Sequence, residues 1–172
     1  MCYREGFFLK VGVVMGSDSD FPVMKKALEI LKKFDVTYEV LLASAHRTPA
    51  VVRDFSENAA ERGFSCIIAG AGMAAHLPGV IASYTTLPVI GVPLESGSLQ
   101  GMDALLAIVQ MPSGMPVATM AINGAKNAAL LAVQLGAVTD PVLAKKYKAY
   151  RNDMEMQVVE KNKKIQTTVQ SM

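Results

Sequence analysis

Apolar and polar residues follow one another in blocks that predict five strands, each followed by a helix. The predicted strands cover residues 10–15, 38–42, 65–69, 89–92 and 117–120. The predicted helices cover residues 21–34, 49–62, 76–84, 102–109 and 126–135. Such alternation is typical of right-handed crossovers in a parallel sheet with helices on both faces. We therefore expect a three-layer α/β/α domain over residues 1–139, with a flavodoxin-like parallel five-stranded sheet.

A different pattern begins at Asp140. Apolar residues at three- and four-residue spacing continue to about Gln170, which predicts one helix of about eight turns. The sheet is complete before this helix begins, so little of its own domain is left for it to cover. We expect residues 140–172 to form a C-terminal helix that packs on a neighbouring subunit. The alternative is a helix folded back on its own domain.

The composition fits one domain with a large apolar core. Of the 172 residues, 51% are hydrophobic, and no apolar run reaches the about 18 residues of a membrane helix. A sheet covered on both faces, or a large subunit interface, accounts for such a surplus. Residues 140–172 carry seven lysines and arginines against four aspartates and glutamates. We interpret this basic excess as a solvated helix face, because the aromatic and glycine pattern of nucleic-acid modules is lacking.

The start of the chain and its cysteines favour the cytoplasm. Residues 1–10 lack a long apolar segment before a small-residue cleavage site, so no secretion signal is predicted. Cys2 and Cys66 are the only cysteines, and a bridge between a terminal tail and a strand is not expected. The two histidines and the scattered carboxylates lack the spacing of metal ligands, so no metal site is predicted.

The loop after the second strand carries the most reactive side chains. Residues 44–49 read Ser-Ala-His-Arg-Thr-Pro, and Thr48 and Pro49 are suited to begin the next helix as N-cap and first helical residue. His46 should then lie at the carboxyl edge of the sheet, where open α/β sheets bind ligands. Arg47 suits a phosphate because its guanidinium donates two parallel hydrogen bonds. His46 can exchange a proton near neutral pH; the alternative is that it only bonds a neighbouring carbonyl group.

The loop after the first strand has the layout of an anion site. Residues 16–20 read Gly-Ser-Asp-Ser-Asp and lead into a helix, whose N-terminus supplies free N–H groups and a partial positive charge. Ser17 and Ser19 add hydroxyl donors, and one of the aspartates could accept from sugar hydroxyl groups. The alternative is that these residues only cap the helix. The segment matches neither the dinucleotide-binding glycine motif nor a P-loop.

The loop after the third strand is built of small residues. Residues 70–79 read Gly-Ala-Gly-Met-Ala-Ala-His-Leu-Pro-Gly, and small side chains let backbone N–H groups approach a flat ligand or a carboxylate. His76 opens the following helix, where it could contact a substrate or bond the backbone. A fourth loop, residues 110–116, contains two prolines and is interpreted as a stiff wall.

Together these motifs resemble those of the N5-carboxyaminoimidazole ribonucleotide mutase family, the catalytic subunit of phosphoribosylaminoimidazole carboxylase in purine biosynthesis. The resemblance is carried, in order, by residues 16–20, 44–49, 71–79 and 110–112, and it extends over about residues 10–135. It implies a flavodoxin-like fold, a homo-octamer, and no metal or organic cofactor. The implied reaction interconverts N5-carboxyaminoimidazole ribonucleotide and 5-amino-1-(5-phospho-ribosyl)imidazole-4-carboxylate.

The resemblance also implies roles for single residues. His46 corresponds to the catalytic general acid and base, and Ser44, Ala74 and His76 correspond to the pocket around the carboxyl group and imidazole. The expected substrate-binding residues are Ser17, Ser19, Asp20, Ser44, Arg47, Gly72, Ala74, His76 and Leu77. The expected partners are therefore a small ribonucleotide and further copies of the chain, with no nucleic acid and no membrane.

Two departures and two alternatives accompany the resemblance. Met73 stands where a glycine is usual, which could narrow the pocket, and residues 122–127 are shorter than the usual glycine-lysine-alanine-glycine version. The first alternative is a sister class that carboxylates aminoimidazole ribonucleotide directly with carbon dioxide. That class has lysine after the loop histidine and lacks the Ala-Ala-His-Leu-Pro run, so Arg47 and His76 favour the mutase class. The second alternative is a non-catalytic nucleotide-binding module.

Overall fold

A computed structural model describes residues 9–172, which form one parallel five-stranded sheet with helices on both faces. The strands are β1 (Lys10–Met15), β2 (Thr37–Leu42), β3 (Cys66–Gly72), β4 (Val89–Leu94) and β5 (Ala118–Thr119). All adjacent strands are parallel, and their order is β2-β1-β3-β4-β5. This is the flavodoxin-like order, so the predicted fold is confirmed.

The helices divide between the two faces of the sheet. They are α1 (Phe21–Lys33), α2 (Pro49–Glu57), α3 (Leu77–Ala82), α4 (Met102–Val109), α5 (Ala125–Ala137) and α6 (Pro141–Gln170), with a short 3-10 turn at Asp18–Asp20. One core lies beneath α1, α5 and the start of α6, and the other beneath α2, α3 and α4. Alternate residues of β1 serve the two cores: Val13 joins the first and Val14 the second. Because the strands are parallel, the loops that follow them all lie at the carboxyl edge of the sheet.

Two strands extend further than predicted. β3 continues from Ala69 to Gly72, because its small residues pair with β4 up to Leu94. β4 was predicted to end at residue 92, just before Pro93, but it continues through Pro93 to Leu94. β5 pairs only with Ile90 and Gly91. At Pro93 the strand β4 is therefore an edge strand, where a proline without an N–H group is tolerated. The start of the predicted small-residue loop is thus part of the sheet.

Helix α2 is shorter than predicted, ending at Glu57 rather than Arg62. The side-chain amide of Asn58 donates to the Asp54 carbonyl oxygen at 2.9 Å, an acceptor that its own backbone N–H also uses. Such local side-chain bonds compete with helix continuation. Turns then lead to Gly63, whose φ of 79° marks the reversal into β3.

The C-terminal helix α6 packs on its own domain only at its start. Asp140 caps it, with Oδ1 accepting from the N–H groups of Val142 and Leu143. Phe34 of the α1 end lies against the rings of Tyr147 and Tyr150, at centroid distances of 6.2 and 5.5 Å. Every residue from 151 to 170 is exposed. The helix therefore neither folds back entirely nor has a partner for its distal half within residues 9–172.

Three further expectations concerned membrane helices, metal sites and a disulfide bridge. Among residues 9–172, no helix has the length and apolar character needed to cross a membrane, and no cluster of three metal-ligating side chains is found there. Cys66 is buried, and burial raises the pKa of its thiol to about 12. Cys2 lies outside the described residues, so the expected absence of a disulfide bridge remains a prediction. Most of residues 1–10, where no secretion signal is predicted, also lie outside them.

Candidate active site

A cavity of about 430 Å³ opens at the carboxyl edge of the sheet. Eight of the ten predicted site residues line it: Ser17, Ser19, Asp20, Ser44, His46, Arg47, Gly72 and Leu77. The remaining lining residues are Gly16, Ala45, Ala71, Met73, Ala75 and Ser96. The three predicted loops thus meet around one space, whose size lies in the roughly 300–1,000 Å³ range of small-molecule sites.

The His46 loop is held by a compact turn. The Thr48 N–H donates to the Ser44 carbonyl at 2.9 Å, and the Ser44 N–H donates to Thr48 Oγ1 at 2.9 Å. Ser44 Oγ accepts from the backbone N–H groups of His46 and Arg47, at 3.4 and 3.2 Å. Thr48 does occupy the N-cap position of α2, but its side chain bonds back to Ser44 instead of capping the helix. The turn is therefore held by hydrogen bonds among its own residues.

The His46 ring is left available by this turn. The residue is exposed at the cavity wall, and its ring makes no hydrogen bond to any of residues 9–172. The alternative role, a bond from His46 to a neighbouring carbonyl, is not what the structure contains. The His46 ring is therefore free to hydrogen-bond a ligand in the cavity.

The loop of residues 16–20 differs from the predicted anion site. Asp20 Oδ2 accepts from the N–H groups of Gly16 and Ser17, at 3.1 and 2.9 Å. The Ser19 N–H bonds Ser17 Oγ and Asp18 Oδ1. The expectation that this helix start offers free N–H groups is therefore wrong for Gly16, Ser17 and Ser19. Ser17 and Asp20 form a capping box, as the alternative interpretation held.

Asp20 is the carboxylate of this loop that lines the cavity. Burial raises the pKa of Asp20 above its ordinary value, although the Ser17 and Gly16 N–H groups and the positive charge of Arg47 act in the opposite direction. Both N–H donors bind one oxygen, Oδ2, while Oδ1 accepts no hydrogen bond from residues 9–172, and Asp20 lines the cavity. Asp20 thus combines a fixed position with a spare acceptor.

Arg47 connects the two loops. One guanidinium nitrogen, Nη2, donates to the Gly16 carbonyl oxygen at 2.9 Å. A guanidinium carries five N–H donors, so most of them remain for a ligand. Arg47 also lines a second hollow of about 510 Å³, which shares Gly16, Ser17 and Ser44 with the first. A ligand with an anionic end could therefore extend past Arg47 from one hollow into the other.

The end of β3 and the residues that follow it form another part of the cavity wall. Gly72 is the last strand residue, and Met73 follows with a left-handed φ of 49° and an exposed side chain. The Met73 N–H donates to Ser96 Oγ at 3.0 Å. Ser96 was not among the predicted site residues. Its signal was its place just after β4, since residues that follow parallel strands collect at the same edge.

Ala74 and His76 do not line the cavity. His76 has a left-handed φ of 51° and begins α3. Its ring lies over Gly79, where an added Cβ would come within 2.0 Å of His76 Nε2. His76 Nδ1 is buried without a hydrogen-bond partner among residues 9–172. The cavity therefore brings together eight of the predicted site residues, but not Ala74 and His76.

Two larger hollows lie away from this edge. One, of about 760 Å³, runs between the end of α5 and α6. The other, of about 840 Å³, is lined by residues 82–88 and 114–116, which lead into β4 and β5 at the amino edge of the sheet. Neither contains a histidine, so the smaller cavity at the carboxyl edge remains the candidate active site.

Comparison with known proteins gives consistent matches. Residues 10–157 match the family model described as AIR carboxylase. The N5-carboxyaminoimidazole ribonucleotide mutase of Pyrococcus horikoshii is 56% identical over 156 residues, 91% of this chain and 88% of the relative. The protein of the same name from Thermotoga maritima is 54% identical over 157 residues, 91% of this chain and 92% of the relative.

Solved structures agree with these matches. The crystal structure of Treponema denticola PurE superposes with a TM-score of 0.80 at 28% sequence identity. The superposition covers 90% of this chain and 97% of that chain. The similarity therefore includes nearly the entire described chain, with the strands that carry the cavity.

Proposed function

Since the chain belongs to the AIR carboxylase family, we propose that it catalyses the mutase reaction of purine biosynthesis. The carboxyl group of N5-carboxyaminoimidazole ribonucleotide moves from the exocyclic nitrogen to ring carbon C4, giving 5-amino-1-(5-phospho-ribosyl)imidazole-4-carboxylate. His46 acts as general acid and base. The observation that carries this proposal is the meeting of His46, Arg47 and the small-residue end of β3 at one cavity.

Arg47 binds the phosphate of the substrate, and the Ser17 and Ser19 hydroxyl groups join it once they turn away from their present acceptors, Asp18 and Ser17. The Gly16 and Ser17 N–H groups are occupied by Asp20, so they are not the phosphate donors. Arg47 has N–H donors beyond the one used on Gly16, and charge-assisted hydrogen bonds from arginine to phosphate are strong. The shared position of Arg47 between the two hollows suits the phosphate end of a nucleotide. Asp20 Oδ1 then accepts from the ribose hydroxyl groups.

The small-residue wall receives the carboxyl group. Gly72 and Ala75 line the cavity with little side-chain bulk. The backbone N–H group of Ala74 has no hydrogen-bond acceptor among residues 9–172, so it is available to a carboxylate. The resemblance also implies that Ala74 and His76 contact this group. Neither residue lines the cavity of the single chain, and their contact with substrate is part of the proposal.

The proton transfers follow from the position of His46. As the bond between the carboxyl carbon and the exocyclic nitrogen breaks, the imidazolium of His46 gives its proton to that nitrogen. Carbon dioxide is released in the closed site and its carbon bonds C4, and neutral His46 then removes the proton that C4 carried. The proton count is unchanged over the cycle. Confinement is essential, since effective molarities of held reactants reach about 10⁵ M or more.

The direct test compares two substrates in an absorbance assay. Purified protein should convert N5-carboxyaminoimidazole ribonucleotide to the C4-carboxylate without added bicarbonate. Aminoimidazole ribonucleotide with bicarbonate serves as the control and should give little product at the same enzyme concentration. Turnover only with aminoimidazole ribonucleotide and bicarbonate would identify a direct carboxylase. Turnover with neither substrate would refute the proposed activity.

We further propose a cytoplasmic homo-octamer in which the distal half of α6 packs on a neighbouring copy. In the single chain this half exposes a row of apolar side chains: Met154, Met156, Val158, Val159, Ile165 and Val169. Helix α4 exposes a second set: Met102, Leu106 and Val109. Exposed apolar surface of this extent is typical of subunit interfaces.

A further inference from the structure

The hydroxyl group of Ser96 joins two strand ends at the rim of the cavity. The ladder between β3 and β4 ends at the pair Gly72 and Leu94. One residue later the Met73 N–H donates to Ser96 Oγ at 3.0 Å, so a side-chain oxygen replaces the next backbone acceptor. Ser96 is half-buried and lines the cavity. This hydrogen bond fixes the direction in which the chain leaves β3.

The fit around Ser96 is close. A Cβ added at Gly72 would lie 2.7 Å from Ser96 Oγ and 3.2 Å from its Cβ, so a side chain there would displace the Ser96 hydroxyl group. Met73 has a left-handed φ of 49°, a conformation that residues with a side chain rarely adopt. A strained conformation persists only where its surroundings impose it, and such residues cluster at active sites. Among residues 9–172, Ser96 Oγ is the acceptor of the Met73 backbone N–H group, which favours this conformation.

Ser96 is fixed in turn through its neighbour Glu95. The Glu95 N–H donates to Asn123 Oδ1 at 3.0 Å, and Asn123 Nδ2 donates to Glu95 Oε2 at 3.0 Å. The Asn123 N–H donates to the Pro93 carbonyl oxygen at 2.8 Å. These three bonds attach the end of β4 to the turn before α5. Ser96 therefore stands on a segment that is itself anchored to a second element.

We propose that Ser96 is a positioning residue for the carboxyl transfer. Its Oγ holds the Met73 N–H and thereby sets the backbone of residues 73–75 against the migrating carboxyl group. The inference rests on the proposed function, because that function assigns the carboxyl group to this wall. Arg47 lies in the loop after β2, which β1 separates from β3. In the proposed function it binds the phosphate, so loss of the Ser96 hydroxyl should impair turnover more than binding.

Steady-state kinetics on matched variants test this role. Ser96→Ala should lower kcat about 10- to 100-fold while KM changes less than about threefold, because small misplacements at a reacting centre are costly. Ser96→Thr keeps the acceptor oxygen and should retain most of the activity. Ser83→Ala is the control: Ser83 is exposed, and its Oγ donates to the Val80 carbonyl at 2.7 Å, away from the cavity.

Amide hydrogen exchange supplies a readout that does not depend on turnover. In Ser96→Ala the Met73 amide should exchange faster, whereas the amides of 67–71 within β3 should be unchanged, which also shows that the variant is folded. Wild-type kcat in Ser96→Ala, or equal losses in the alanine and threonine variants, would overturn the positioning role. If the wild-type protein fails to interconvert the two ribonucleotides, the proposed function falls, and unchanged Met73 exchange in Ser96→Ala would separately refute the hydrogen bond.

Discussion

The Arg47 guanidinium donates a hydrogen bond of 2.9 Å to the carbonyl oxygen of Gly16, 31 residues earlier in the chain. Gly16 begins the loop after β1 and Arg47 lies in the loop after β2, so this bond joins the two loops. The same arginine retains further donors for a ligand. A single side chain thus shapes the cavity and supplies its positive charge.

Replacing Arg47 should weaken substrate binding. We expect Arg47→Met to raise KM about 10- to 100-fold, since a hydrogen bond to a charged group contributes about 1.5–3 kcal/mol. Arg53→Met is the matched control, because Arg53 is an exposed residue of α2 that pairs with Glu57 outside the cavity. Steady-state kinetics in parallel check the pair. Equal KM values in the two variants would show that Arg47 does not bind substrate.

Replacing His46 should remove turnover while leaving binding. Because a positioned general acid and base contributes about 10²- to 10⁴-fold, His46→Asn should lose activity by that factor. The side chain is exposed and its ring bonds no other part of residues 9–172, so the variant should melt at the wild-type temperature. Calorimetric titration with the C4-carboxylated product should give a similar Kd. An active His46→Asn variant would exclude this residue as the proton carrier.

Asp20 should leave a signature in the pH dependence of stability. Burial raises the pKa of its carboxyl group above the ordinary value of 3.8. The folded protein therefore binds this proton more tightly than the unfolded chain. The ionised carboxylate costs stability above the raised pKa, and that cost is relieved as the pH falls through the raised pKa toward 3.8.

Asp20→Asn isolates this contribution because an amide does not titrate. The free energy of unfolding of the wild type, minus that of the variant, should decrease as the pH rises from below 3.8 toward neutrality. Urea unfolding of both proteins across the acid range measures it. A difference that grows with pH would mean that the hydrogen bonds from Gly16 and Ser17 outweigh burial.

The main features of the fold could be predicted because they depend on local patterns. Strand periodicity and the motif around His46 each lie within a few consecutive residues. The occupied N–H groups of Gly16 and Ser17 could not be foreseen, since the same letters fit an anion site and a capping box. Ser96 was missed because its role depends on β3 and β4 being neighbours, which brings it to Met73 across 23 residues. The end of β4 was predicted too early for a similar reason. A proline is tolerated at position 93 because the short β5 does not pair with β4 there, and the sequence around Pro93 does not reveal this.

Removing the distal half of α6 should change the assembly and spare the fold. All of residues 151–170 are exposed, so a chain that ends at Tyr150 loses no buried side chain. Sedimentation velocity should show an octamer for the full chain and smaller species for the shortened one. Circular dichroism should show that the shortened chain keeps its remaining helices and strands. An unchanged assembly mass would exclude the distal half of α6 as an interface.

The fate of the carboxyl carbon tests the central claim, a transfer confined to one closed site. N5-carboxyaminoimidazole ribonucleotide with heavy carbon in its carboxyl group would be converted in a large excess of unlabelled bicarbonate, and the product analysed by mass spectrometry. Confinement predicts that nearly all product molecules keep the heavy carbon at the C4 carboxylate. Product that carries mainly unlabelled carbon from the solution would contradict it.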